Sequence, residues 1–291
     1  MMRGMNAAIS GLEAAQTQLD TTANNLANVD TIGYKSQSIQ FVDELSQTLQ
    51  GATGPNSYNG GSNAKQVGLG VQVGAIENMM TTGSLQTTGN PLDVAINGNG
   101  FFQVDTGDPT GAPVASSIQY TRAGNLTTNS EGYLTAQSGQ YLVGVAATAN
   151  GNGTYSPSAT QSYIQIPTNA TNVNIGQDGS VTYTDQTTTD PTYGQTVTAG
   201  YLQLATFPNN AGLTRNGGSL WSASPSSGTP ITGTPGTNGL GSTISGELES
   251  SNVDMATEFS NMITAQNDYQ ANSKVISTAA LMLQSVVQMA Q

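Results

Sequence analysis

The stretch from Met255 to Gln291, MATEFSNMITAQNDYQANSKVISTAALMLQSVVQMAQ, decides the fold class. Met255, Met262, Tyr269, Ile276, Leu283 and Ala290 recur every seven residues, and Phe259, Gln266, Ser273, Ala280 and Val287 form a companion row four residues on. Positions a heptad apart share one face of a helix, so the pattern predicts a coiled-coil helix with an apolar seam. Asp254 is the expected N-cap, and Glu258 suits the positive end of the helix dipole. A helix over 254–291 is ~55 Å long at 1.5 Å per residue.

The opposite end carries a matching stripe. Met5, Leu12, Leu19 and Leu26 keep the same spacing, with Ala8, Ala15 and Val29 three residues after members of that row. This predicts a first helix over 1–32. A stripe at each extremity points to pairing of the two helices with each other, the alternative being a helix packed on its own globular domain. One such pair leaves apolar surface for neighbouring copies to cover.

Between them the chain reads as β. Leu92-Asp93-Val94-Ala95-Ile96 precedes Asn97-Gly98, and Ile164-Gln165-Ile166 precedes Pro167. Asn172–Ile175, Asp178-Gly179 and Val181–Tyr183 carry a hairpin signal, and Tyr201–Phe207 reads as one strand stopped by Pro208. The segments Thr148–Ser158 and Ser222–Thr243 are loops rich in Gly, Ser, Thr, Asn and Pro. The expected fold class is mixed α and β: paired terminal helices, a central all-β domain and an extended connector. The expected divisions are an N-terminal helix over 1–32, a connector over 33–73, a β domain over 74–240, a return connector over 241–253 and a C-terminal helix over 254–291.

Composition narrows the function. Only 8% of the 291 residues are charged, against roughly 25% in an average globular domain. A wet but weakly charged surface packs against copies of itself without burying many ions; a secreted β-protein with flexible loops is the other reading of the same composition. The net charge is −12, and the six cations Arg3, Lys35, Lys65, Arg122, Arg215 and Lys274 are scattered along the chain. Neither nucleic-acid binding nor attraction to an anionic membrane is expected. Glu13, Gln16, Gln18 and Asp20 interrupt any apolar signal core, and no apolar run reaches the ~18 residues of a membrane span. A cleaved secretory signal and membrane insertion are therefore not expected.

The chain has no His and no Cys. This excludes the Ser-His-Asp triad, the Cys-His pair, the HExxH zinc motif, thiolate metal sites and disulfides. Lys35-Ser36 and Ser273-Lys274 lack S-x-x-K spacing, Gly98-x-Gly100 lacks the third glycine of a dinucleotide loop, and Asp178-Gly179 lacks the alternating oxygens of a calcium loop. Paired carboxylates for glycoside hydrolysis stay formally open among 18 acidic residues, with Trp221 the one available sugar platform. No catalytic residue, cofactor or metal site is expected.

Several linear motifs resemble the bacterial flagellar hook and distal-rod axial protein family. Ala23-Asn24-Asn25-Leu26-Ala27-Asn28-Val29-Asp30-Thr31-Ile32-Gly33-Tyr34-Lys35 is similar to its N-terminal signature. Gly83–Phe102 resembles the segment leading into its β domain, and Tyr120-Thr121-Arg122-Ala123-Gly124-Asn125-Leu126 resembles the next family block. Glu249–Asp254 followed by Gln270-Ala271-Asn272-Ser273-Lys274 resembles its C-terminal signature. Asn24, Asn25, Asn28, Gly33, Asn252 and Asn272 are thus family-signature positions, the early ones also suiting the end of a helix.

The resemblance implies a self-assembling tube with the terminal helices inside and the β domain outside. It also implies export through the flagellar type III apparatus. The implied partners are further copies, the distal rod, the hook–filament junction, the hook cap and the export apparatus. Met5, Leu12, Leu19, Leu26, Met255, Phe259, Met262, Tyr269, Ile276, Leu283 and Val287 are the expected assembly seams. Gly60–Val71 resembles short hook proteins and favours the hook over the distal rod, whereas the modest length keeps the rod open.

Overall fold

The computed structural model describes residues 2–55, 60–149, 155–186 and 193–289. Ala290, part of the loop expected over Thr148–Ser158 and part of the connector near Gly51–Asn63 lie outside them. The chain divides into two compact units. One joins the two helices and residues 37–79; the other joins 28–36 and 80–252.

The helical unit contains α1 (Met2–Ala27) and α2 (Met255–Met289). Asp254 caps α2, accepting from the Ala256 N–H at 2.9 Å and the Thr257 hydroxyl at 3.0 Å. Helix α1 ends at Ala27, short of the expected boundary at 32. Thr31 N–H donates to the Asn28 carbonyl at 3.1 Å, and Gly33 stands at φ +65°, so the chain turns there. The expected extended connector carries strands. Gln37–Asp43 pairs antiparallel with Val71–Asn78, and Gln47–Gln50 pairs with Lys65–Val67.

The β unit is built on a sheet of thirteen strands among the described residues. Its main path runs Thr171–Ile175, Ser180–Thr184, Thr196–Leu202, Tyr141–Ala149, Phe101–Asp105, Ile118–Thr121, Leu220–Ser222 and Thr214–Gly217. Its first two strands form the hairpin around Asp178-Gly179. The run Tyr201–Phe207 is broken: Thr196–Leu202 pairs with Tyr141–Ala149, whereas Leu204–Thr206 pairs with Phe101–Asp105 and Ile231–Gly233. The stretch expected as a return connector supplies two strands. Ser242–Ser245 pairs with Val94–Asn97, and Glu247–Glu249 pairs with Leu85–Thr87.

The core of this unit lies on both faces of Phe101–Asp105, every residue of which is buried. Alternation sends Phe102 and Val104 into one cluster with Val94, Leu142, Leu202 and Leu204, and Phe101 into a second with Tyr120, Phe207 and Trp221. Tyr120 meets Phe207 edge-on with ring centroids 4.8 Å apart.

Candidate functional site

In the helical unit α1 and α2 pack against each other. Asn25 Nδ2 donates to Glu258 Oε1 at 3.1 Å, and a Cβ at Gly11 would stand 2.8 Å from Asn272 Nδ2. Asn25 therefore lies level with Glu258 and Gly11 with Asn272, so the helices run in opposite directions. By that register α1 begins level with about Leu281, and 282–289 continue for ~12 Å beyond it.

The expected seam residues divide by their cover. Met5, Leu12, Leu19, Leu26, Met262 and Ile276 are half-buried. Met255, Phe259, Tyr269, Leu283 and Val287 are exposed. On α2 the side chains turned inward are Glu258, Met262, Ala265, Asn272, Ile276 and Ala279, so the second row lies three residues after the first, not four. Among the described residues, the fully buried apolar side chains of this unit are Ala8, Ala14, Ala15 and Ala265. Small residues allow close helix approach, and the large apolar side chains stay half-buried or exposed. Phe41, Val42, Leu45, Leu49 and Ile76 are likewise exposed on the strand ribbon. A groove of about 280 Å³ opens between Ala14, Ala15, Phe41, Asp268 and Ala271.

The signature asparagines hold backbone. Asn25 clamps Gln37 twice: its Nδ2 donates to the Gln37 carbonyl at 2.8 Å, and its Oδ1 accepts from the Gln37 N–H at 2.9 Å. This tie fixes how the Gln37–Asp43 strand leaves α1. In the β unit Asn252 Oδ1 accepts from Ser36 N–H at 2.7 Å, while its Nδ2 donates to Thr81 Oγ1 at 3.0 Å. Asn28 accepts from the Thr31 hydroxyl at 3.2 Å, Asn272 faces Gly11, and Asn24 is exposed. Gly33 is required where it stands, because a Cβ there would meet Ala123 N at 2.6 Å.

The β unit also gathers three of the scattered cations. Glu249, fully buried, accepts from Lys35 Nζ at 2.6 Å and from an Arg122 guanidinium nitrogen at 3.0 Å. Its carboxylate takes a further bond from Gly83 N–H at 2.9 Å. Lys35 also donates to the Thr81 carbonyl at 2.7 Å, and Arg122 to the Gly98 carbonyl at 2.8 Å. Burial pushes the Lys35 ammonium below its ordinary value; Glu249 opposes that and Arg122 adds to it. Arg215 lies 4.5 Å from the Tyr34 ring centroid and 4.9 Å from that of Trp221, and donates to the Lys35 carbonyl. Lys35, Arg122 and Glu249 each fall inside a quoted motif and Arg215 does not, and only folding brings the four together. Lys35, Arg122 and Glu249 are closed to water and neutralise one another in part, so this group holds shape.

Among the described residues no group of three or more acidic side chains is placed to hold a metal ion, and no helix is long and apolar enough to cross a membrane.

Comparison with known proteins matches three stretches of the chain. Residues 5–35 match the family described as "Flagella basal body rod protein", 95–183 the "Flagellar hook protein FlgE/F/G D1 domain", and 244–289 the "Flagellar basal body rod FlgEFG protein C-terminal". The chain is 39% identical over 288 residues to the flagellar basal-body rod protein FlgG of Bacillus subtilis, covering 99% of this chain and 98% of that one. It is 38% identical over 280 residues to FlgG of Agrobacterium fabrum, covering 96% and 95%. The flagellar hook protein FlgE of Borreliella burgdorferi is 40% identical over 134 residues, which is 46% of this chain and 28% of that protein. That family is a structural component of the bacterial flagellum and not a family of enzymes. Matches to three family models at both ends and in the β body, together with 39% identity over nearly the whole length of a basal-body rod protein, mean that this chain belongs to the flagellar hook and basal-body rod family.

Proposed function

We propose that this chain is a subunit of the flagellar distal rod. It polymerises through its terminal helices, paired as a coiled coil, into a tube that carries torque outward from the motor. The order of hook and rod expected from Gly60–Val71 is reversed. Rod proteins align with this chain nearly end to end, whereas the hook protein shares 28% of its own length. A block of twelve residues weighs less than an alignment over the whole chain.

The assembly reading rests on one observation above all: the helical unit buries alanines and leaves Met255, Phe259, Ile263, Leu283, Val286 and Val287 in water. Apolar surface of that extent marks an interaction face, and a head-to-tail contact that does not close on itself generates an open helical polymer. Further copies, the hook and other axial proteins are the proposed neighbours. The flagellar export apparatus is the proposed route out of the cell.

Electron microscopy of the polymer formed by the full chain tests this. A straight, short tube is expected; a curved, supercoiled tube assigns the chain to the hook, and a monomer at high concentration rejects both.

A further inference from the structure

The Glu249 knot is separate from the assembly face and has its own consequence. Its parts come from distant stretches: Lys35 lies 214 residues from Glu249 in sequence, and Arg122 lies 127. The two cations and the apolar clusters around them all precede residue 241, whereas their common counter-ion does not. The same late segment supplies a strand for Val94–Asn97, which pairs with Ser242–Ser245, and one for Leu85–Thr87, which pairs with Glu247–Glu249. Val94, Ala95 and Ile96 are wholly buried. With residues 242–252 docked but no carboxylate at 249, the closed β body would hold two cations away from water with no anion beside them. Buried, uncompensated charge is among the largest single penalties a fold can carry.

We propose that Glu249 gates closure of the β body: the body stays open until the 242–252 segment docks, because only then do Lys35 and Arg122 gain a counter-ion. The lock is directional. Every other part of the core is present earlier in the chain, so closure is tied to the segment that leads directly into α2. Chains that lack this segment remain open, and chains that carry it close around it.

Refolding of the full-length chain from urea, followed by fluorescence, reads this directly. Trp221 is the single tryptophan and is 2% exposed inside the β body. Three proteins are compared: the natural chain, Glu249→Gln, and Lys35→Met/Arg122→Met/Glu249→Gln. The glutamine keeps an acceptor for Gly83 N–H while removing the charge, and the triple variant removes the cations as well. Glu249→Gln should refold at least about tenfold more slowly, and the triple variant should return to within about threefold of the natural rate, because the unpaired cations and not the missing carboxylate shape hold the body open. An unchanged folding rate in Glu249→Gln, with only unfolding accelerated, overturns the gate, since the segment then docks after closure. A triple variant as slow as the single variant overturns it too. If Glu249→Gln does not fold at all, a folded triple variant upholds the proposal and an unfolded one rejects it.

Discussion

The two units of this chain bury different things. In the β unit Phe101, Phe102, Leu142, Leu202, Leu204 and Trp221 are at most 2% exposed. In the helical unit the buried apolar residues among those described are alanines, and Val286, Val287 and Leu281 stand 46%, 59% and 64% exposed. At roughly 25 cal/mol per Å² of apolar area, burial stabilises the first unit from within, whereas the exposed apolar side chains of the second gain that free energy only when something covers them. A body that must be rigid has its core inside, and a body that must polymerise carries its core on its surface, unfinished until a neighbour arrives.

The largest effect expected from this contrast lies in the β core. Phe102→Ala removes a ring from the strand buried on both faces and should cost about 3–5 kcal/mol. The urea midpoint read from Trp221 fluorescence should fall accordingly, while the midpoint of the helical circular dichroism from α1 and α2 shifts little. A loss below about 1 kcal/mol, within the range of surface substitutions, would mean that the β unit borrows its stability from elsewhere.

A smaller effect concerns Asp105, which is fully buried in the same strand. Burial alone raises its carboxyl, but bonds from Ser117, Tyr163, Gly107 and Val114 outweigh burial and hold it below its ordinary value. Tyr163 Oη donates at 2.6 Å and Gly107 N–H at 3.1 Å. A carboxyl with a depressed folded pKa stabilises above its unfolded value, near pH 4, and that contribution disappears as pH falls through the folded value. Asp105→Asn should therefore cost about 1–3 kcal/mol at neutral pH, and the gap to the natural chain should narrow steadily below about pH 4. A gap independent of pH would place the loss in shape and not in charge.

Much of this contrast was legible in the residues alone. Seven-residue spacing marked both helices, because periodicity survives whatever covers the stripe. Apolarity does not say what covers it, however. Ala265 and Asn272 turn toward α1 although the apolar count favoured Phe259 and Val287, since close helix approach needs small side chains more than greasy ones. The strand break at Gln203 was hidden because Tyr201–Phe207 keeps one alternation while its two halves pair with different partners. The Glu249 knot was hidden for a further reason. In a chain only 8% charged, Lys35, Arg122 and Glu249 read as isolated ions, and nothing local reports that they converge.

The smallest effect on the fold should be the most damaging to assembly. Leu283 and Val287 lie on the part of α2 that runs past the start of α1, at 37% and 59% exposure. Substituting both by Ser removes little buried area from the single chain, so its unfolding free energy should change by less than about 0.5 kcal/mol. In a polymer the same side chains would each lose a burial worth about 1.5–3 kcal/mol, and every 1.4 kcal/mol is a factor of ten in association. The critical concentration for polymerisation should thus rise by at least roughly a hundredfold, read by sedimentation of the assembled tubes. If the monomer instead loses several kcal/mol and the tubes form as before, these side chains complete the chain's own fold, and the idea of a core kept on the surface fails at the place where it is most exposed.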